Sequence, residues 1–300
     1  MLPAVRRVLV TAGVAVLVLI LVGATYQGVA TAIERRRFPH PGRLIDVGGH
    51  QLHLYCTGEG TPTVVLEAPA TTMSAAWAWV QTDVARLTRV CSYDRAGLGW
   101  SEAGDAPFSP QAVAPELNAL LEKGAERGPF MVAGAEFGAA LATLYAARYP
   151  DTVDTLVLVN PPGAFDKRPA LEPSPRFVSV SPWLARAGLL RLTRTLSLNA
   201  RELPQPAAGV LRTFLNRPDH LTRAASELGR WNDTVTLSQN VTLRRGMPVI
   251  QVEVEGANRV ALLANERNAK DVAEAIAGAV RRTRSRVGAV TSGRAPSAVR

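Results

Sequence analysis

The chain has 300 residues, 47% of them hydrophobic and 20% charged, and carries a formal net charge of +9; this length accommodates one large α/β core plus an insertion. The arginines cluster at the two ends, Arg6, Arg7 and Arg35–Arg37 at one and Arg281, Arg282, Arg284, Arg286, Arg294 and Arg300 at the other. No aromatic-and-basic motif or reading helix accompanies them, which argues against a nucleic-acid partner; a membrane edge and a basic tail account for the charge.

From Val8 to Tyr26 the chain is uncharged (VLVTAGVAVLVLILVGATY) and long enough to cross a hydrocarbon core of about 30 Å as a helix. Residues 1–34 therefore read as a membrane anchor or a signal sequence. Ala30-Thr31-Ala32 offers a small-residue cleavage site, but the apolar run exceeds the roughly 7–15 residues of a signal core, so an uncleaved single-pass anchor is the preferred reading. Arginines flank both sides of the run, and the positive-inside count does not set its orientation.

Residues 35–42 read as a Pro/Arg-rich linker. Arg43–Val47 and Gln51–Cys56 flank Gly48-Gly49 as a hairpin. Pro62–Glu67 and Arg89–Tyr93 have the character of short buried strands, with an amphipathic helix at Trp77–Leu87 between them. Phe130–Ala133, a helix over Phe137–Tyr149 and Thr155–Val159 continue the alternation, which predicts a mostly parallel sheet covered on both faces. Residues 43–163 thus form the first part of an α/β core. Residues 164–246 change to prolines and short amphipathic segments such as Pro182–Thr195 and read as an inserted helical cap, either a lid over a site or plain helical packing. Residues 247–282 return to the core with a strand at Met247–Val254 and a closing helix at Ala269–Arg282, and residues 283–300 read as a basic disordered tail. Cys56 and Cys91 fall in two of the strands; were these neighbours, a disulfide would fit an oxidising compartment, and two buried thiols are the equal alternative.

Four stretches carry a resemblance: Gly42–His50 (GRLIDVGGH), Leu52–Gly58 (LHLYCTG), Tyr93–Ser101 (YDRAGLGWS) and Tyr145–Val159 (YAARYPDTVDTLVLV). Together they resemble the α/β-hydrolase fold family, and within it the membrane-anchored hydrolases of actinobacterial type. The resemblance is dense over residues 42–163 and weak beyond. It implies a nucleophile on a tight strand-to-helix turn, a histidine oriented by an acid, and backbone N–H groups that hold an oxyanion.

The turn is present in MVAGAEFGAALA, residues 131–142, where Gly134 and Gly138 keep the family's glycines. Glu136 stands in the place of the serine. Asn258 stands where the resemblance puts the histidine, and the alternative acid position after TLVLV is Asn160, again an amide. The oxyanion-loop positions are Ala68, Pro69 and Ala70, with Phe137 after the turn, and Pro69 has no N–H to donate. A Thr71 or Thr72 hydroxyl is the substitute donor. The histidines are His40, His50, His53 and His220; the first three sit at the amino-terminal strands, and His220, in the cap, would reach a site only by an unusual route.

Changes at nucleophile, base, acid and oxyanion loop together point to a catalytically silent hydrolase fold with degenerate catalytic residues and a binding or scaffolding role. Its Glu136 plugs the old pocket or holds a cationic or hydroxylated ligand. The alternative is an active esterase or epoxide-type hydrolase with Glu136 as carboxylate nucleophile or base. Expected partners are the membrane and an active relative or envelope protein, with the soluble domain extracytoplasmic. No cofactor is expected, since neither a phosphate-binding loop nor a dinucleotide fingerprint occurs, and no metal, since Glu136 has no ligands at metal spacing.

Overall fold

A computed structural model of the chain describes residues 2–163, 175–193, 196, 200, 202–254 and 262–292. Its first element is a long helix, α1 (Leu2–Arg37), with a mean hydropathy of 2.7 over its most apolar window and side chains such as Leu9, Leu17 and Leu19 exposed. It is long and apolar enough to cross a membrane. The helix runs on through Arg37, so the expected linker at residues 35–42 is helical over its first three residues. The reason is local: Glu34 and the three arginines are good helix formers, and the arginines suit the negative end of the helix dipole.

The core sheet has seven strands: β1 (Arg43–Asp46), β2 (Gln51–Thr57), β3 (Thr63–Glu67), β4 (Val90–Tyr93), β5 (Phe130–Ala135), β6 (Val153–Val159) and β7 (Val249–Val252), in the order β1-β2-β4-β3-β5-β6-β7. The pairings β1–β2 and β2–β4 are antiparallel, and from β4 to β7 all are parallel. Central strands β3, β4 and β5 are buried at every residue, which is why they read as continuous apolar runs rather than alternating ones.

One face of the sheet is covered by α2 (Ala78–Val84), entered through a 3-10 turn at Ser74–Trp77, and by α10 (Glu266–Ser292); Trp77, Val80 and Val84 pack there with Val272 and Ile276. The other face is covered by α3 (Pro110–Lys123) and α4 (Phe137–Arg148), through Leu117, Leu120, Ala142 and Tyr145. Helix α3 was not anticipated. Its signals are a Ser109-Pro110 start and buried Val113, Leu117, Leu120 and Leu121 on one side; Pro115, inside it, hides the pattern.

Between β6 and β7 lie α5 (Pro175–Arg186), α6 (Leu189–Thr193), α7 (Ala207–Phe214), α8 (Pro218–Gly229) and α9 (Trp231–Gln239). The single helix expected at Pro182–Thr195 is two: Pro182 lies inside α5, and Gly188, at φ 73°, ends that segment before α6 begins.

Helix α10 takes up residues 283–292 of the expected tail, and residues 293–300 lie outside the described residues. It continues ten residues past Arg282, with Thr283 buried, Arg284 donating to the carbonyls of Thr61 (2.7 Å) and Leu87 (3.0 Å), and Arg286 paired with Asp154 at 3.0 Å. The arginines that looked like a polar tail point outward from a helix whose Val272, Ile276, Val280 and Thr283 keep a buried stripe. In the β2–β4 register Cys56 lies opposite Cys91, with Cα atoms 4.0 Å apart, and the two sulfurs are bonded.

Candidate functional site

Strand β5 delivers the chain to Glu136, and α4 carries it away. Glu136 has φ 51° and ψ −115°, a strained backbone for any residue with a Cβ. Its N–H donates to the Val159 carbonyl of β6 at 2.9 Å, and its own carbonyl accepts the Ala139 N–H at 2.9 Å. The flanking glycines are steric requirements. A Cβ on Gly134 would lie 2.3 Å from the Gly138 carbonyl oxygen, and one on Gly138 would lie 2.4 Å from that of Glu67 and 2.6 Å from that of Ala68. The sharp turn expected from the sequence is therefore present, with Glu136 buried at its apex.

Against the turn lies the loop after β3, with the Glu67 and Ala68 carbonyls facing Gly138 and Ala70 packed in one cluster with Phe137. Several of its polar groups are committed elsewhere. Arg95 donates to the carbonyls of Ala68 (2.8 Å) and Pro69 (3.1 Å), and the Thr72 hydroxyl donates to the Pro69 carbonyl (2.9 Å), so this hydroxyl is turned into its own loop. Thr71, at φ 63°, gives its N–H to Oε2 of Glu227 on α8 at 3.0 Å. Over Ala70 the ring of Phe137 stacks on Trp231 of α9, with centroids 5.2 Å apart and planes inclined by 27°, and meets Phe108 at 5.9 Å.

The buried charge around this loop was missed in the sequence. Arg95 donates through Nη1 to Glu67 (2.6 Å) and through Nε and Nη2 to the two oxygens of Glu227 (2.6 and 2.9 Å), while the Tyr93 hydroxyl donates to the other oxygen of Glu67. Burial raises the Glu67 carboxyl above its ordinary range, with Arg95 pulling the other way. Burial and the Glu67 charge push the Tyr93 hydroxyl up, so it stays a donor. Burial acts to lower the Arg95 guanidinium, but Glu227 and Glu67 outweigh it and raise it. A signal existed: Glu67 closes an apolar strand, where a charge demands a buried partner, and Glu227 shares a helix face with Leu221, Ala224 and Leu228.

All four histidines are placed. His220 does reach the site's edge, contrary to expectation, because α8 lies directly on the loop: its Nε2 donates to the Thr71 carbonyl at 2.9 Å, and its Nδ1 accepts the Gly99 N–H at 3.1 Å. Both ring nitrogens are thus occupied in the neutral tautomer. His53, fully buried, donates from Nδ1 to Asp94 (3.0 Å) and accepts at Nε2 from Gly42 (3.2 Å). Burial acts to raise the Asp94 carboxyl, yet His53 and the N–H groups of Ser74 and Trp100 more than offset this and hold it below the usual value. His40 sits by Gly42, and His50 lies in the β1–β2 hairpin, 3.8 Å from Glu116. By sheet order β1 is four strand positions from β5, roughly 19 Å at one strand spacing each.

Asn160, at φ 42°, follows β6 and uses its side-chain amide structurally: Oδ1 accepts the Val254 N–H at 2.8 Å, and Nδ2 donates to the Val254 carbonyl at 3.3 Å. Asn258 lies outside the described residues. Among the described residues Cys56, Cys91 and Glu126 bring ligand-type atoms together, but bonded sulfurs offer no thiolate and Glu126 already holds Arg89 by two bonds of 2.7 Å.

The His220 geometry has a pH consequence. Burial lowers its pKa below the ordinary 6.5, opposed by the Thr71 carbonyl, Glu227 and Asp94 and reinforced by Arg217. Between the depressed folded value and 6.5 the unfolded chain binds more protons, so stability falls as pH drops through that window. Thermal melts from pH 7.5 to 5 are expected to show a steeper loss for the native protein than for His220→Gln. The contribution of Glu67, raised and so opposite in sign, is common to both. Parallel curves would show that His220 does not titrate there.

The structure resembles an enol-lactonase from Burkholderia xenovorans, with a TM-score of 0.58 at 17% identity over 78% of this chain and 99% of that one. It also resembles an epoxide hydrolase from Vigna radiata, with a TM-score of 0.59 at 14% identity over 80% and 97%. The chain has the α/β-hydrolase fold. Among curated sequences, this α/β-hydrolase-fold chain is 29% identical over 125 residues to 2-hydroxy-6-oxo-2,4-heptadienoate hydrolase of Pseudomonas putida, covering 41% of this chain and 45% of the relative. It is 35% identical over 89 residues to an uncharacterized vacuolar membrane protein of Saccharomyces cerevisiae, covering 29% of this chain and 14% of the relative. The chain thus spans less than half the length of either. No protein-family model matches it.

Proposed function

We propose that this is a membrane-anchored α/β-hydrolase-fold protein that has lost the Ser-His-Asp chemistry and uses the fold for binding or scaffolding, with an active relative or an envelope protein as partner. One observation carries the reading: a carboxylate occupies the nucleophile turn, while each histidine is either held at both ring nitrogens or several strands away. A carboxylate nucleophile would form an ester that needs an activated water to leave, and no imidazole stands ready to activate it. The oxyanion loop supports the same reading, since the Thr71 N–H and the Thr72 hydroxyl are engaged by Glu227 and Pro69.

The anchor reading is supported by the packing of α1 on the cap through Gln27 and Glu34, which makes the helix part of the folded protein. The bonded Cys56–Cys91 pair favours an oxidising compartment and supports a domain outside the cytoplasm. The strained backbone at Glu136 favours the second reading, an esterase or epoxide-type hydrolase with Glu136 as nucleophile or base, because such strain commonly persists where a site is in use.

The test uses full-length protein in detergent, assayed on short- to long-chain nitrophenyl esters and an aryl epoxide beside Glu136→Gln. Equal background rates for the two are expected. Turnover by the native protein that Glu136→Gln abolishes would overturn the silent reading in favour of the carboxylate one.

A further inference from the structure

Four large apolar side chains of the cap face outward: Val180 and Trp183 on α5, with Leu189 and Leu192 on α6. Trp183 is 69% and Leu192 73% exposed, unusual for residues of this size on a water-facing helix. Each pair is spaced three residues apart, so each forms one helix face. The guanidinium of Arg186 sits 5.0 Å from the Trp183 ring centroid, the pairing of an aromatic with a long cation that suits a membrane–water boundary.

Contacts with α1 set the height of this patch. The chain is uncharged from Val8 to Ile33, and its strongly apolar part, Val8–Tyr26, ends at the polar Gln27; these 19 residues measure about 28 Å as a helix at 1.5 Å per residue and so span a hydrocarbon core almost alone. Gly23 lies in that run, roughly 5 Å short of its end. There the turn between α5 and α6 touches it: a Cβ on Gly23 would lie 2.1 Å from the Ala187 carbonyl oxygen, and one on Gly188 would lie 2.9 Å from the Gly23 carbonyl oxygen. Small residues on both sides allow the two backbones to meet.

Just above, two polar side chains of α1, Gln27 and Glu34, are engaged by the cap. Gln27, buried, donates to the Asn216 carbonyl at 2.9 Å and accepts from Arg191 at 3.0 Å, and Arg191 also holds both oxygens of Glu34. A turn fixed to Gly23 in this way cannot stand clear of the bilayer that Gly23 occupies.

From these contacts we infer that α5 and α6 form a second membrane contact, lying in the headgroup–acyl boundary beside α1 with Val180, Trp183, Leu189 and Leu192 in lipid and Arg186 among the headgroups. The occupant of the patch is the bilayer itself. The inference rests on the reading of α1 as a membrane span, and it adds that the cap is held against the membrane surface rather than displayed away from it.

Site-specific fluorescence in vesicles tests this. Cys56 and Cys91 are bonded, so single cysteines introduced into the full chain are the reactive thiols. An environment-sensitive dye is placed at Val16 in α1, at Trp183, Leu189 or Leu192 in the cap, and at exposed Glu59, in the turn at the opposite end of the sheet. Vesicles are phosphatidylcholine with a fraction of phosphatidylglycerol, with or without spin-labelled lipid. The expected result is blue-shifted emission and several-fold stronger lipid quenching at the three cap positions than at Glu59, with Val16 also quenched. Trp183→Ser with Leu192→Ser is expected to remove the quenching at Leu189 while leaving Val16 unchanged. Quenching at Val16 without quenching at the cap positions would overturn the inference and leave the span reading standing. Blue shift at the cap without lipid quenching would assign the patch to a second copy or another protein instead. An unquenched Val16 would overturn the span reading and this inference with it.

Discussion

Replacement of Arg95 by methionine is expected to destabilise the protein by about 3–5 kcal/mol, because it leaves two carboxylates buried without their cation. Glu67 and Glu227 are almost wholly out of solvent, and Arg95 is the cation that ion-pairs with both. A loss of this size is a large part of the roughly 5–15 kcal/mol that holds an ordinary domain together, so a much lower melting temperature and poor accumulation should both be seen. The Ala68 carbonyl loses its guanidinium donor at the same time, the Pro69 carbonyl is left with Thr72, and the loop beside Glu136 should loosen first. Combining Arg95→Met with Glu67→Gln and Glu227→Gln removes the stranded charge while keeping an acceptor for the Thr71 N–H, and much of the stability should return. A melting temperature for Arg95→Met within a degree or two of the native value would show that the charges are not buried as described.

Substitution of Glu136 by glycine should act in the opposite direction. The φ 51°, ψ −115° backbone costs about 1–3 kcal/mol with a side chain present and little for glycine. Against this stands about 0.5–1 kcal/mol of extra chain entropy lost by glycine on folding. A net stabilisation of about 1 kcal/mol, a rise of roughly 2–4 °C in melting temperature, is expected. Should the variant melt lower than the native protein, the Glu136 side chain would be holding the site together by more than the strain it imposes. That outcome would favour the plug over an empty relic, since the turn is kept in a shape that no structural need of glutamate explains.

The sequence told most about elements buried on both sides. Strands β3, β5 and β6 hold short apolar runs, Val64–Leu66, Phe130–Ala133 and Leu156–Val159, whose character needs no partner to be recognised. The sharp turn at Glu136 was legible through the resemblance, whose glycines Gly134 and Gly138 match, and the close backbone approach at both positions gives the steric reason. Helix α3 was hidden by Pro115, and the far half of α10 by arginines whose buried companions, Val280 and Thr283, are less conspicuous. The charged network was out of reach for a different reason. Arg95 meets Glu67 across 28 residues and Glu227 across 132, and no local pattern joins residues that only the cap's docking brings together. His220 shows the same limit, since its role depends on where α8 lands and not on its neighbours in the chain.

Helix α1 continues without a break from its apolar run to Arg37 and is clasped by Arg191 and Asn216 on the way. A flexible tether would let the domain swivel freely above the lipid, whereas a 36-residue rod of about 54 Å bolted to its load behaves as a strut. Bilayer thickness is commonly accommodated by tilting such a helix. On the reading of α1 as a membrane span, the tilt would be handed to the cap as a rotation, so that a change in lipid composition becomes a mechanical input to α8, the helix that carries both His220 and Glu227.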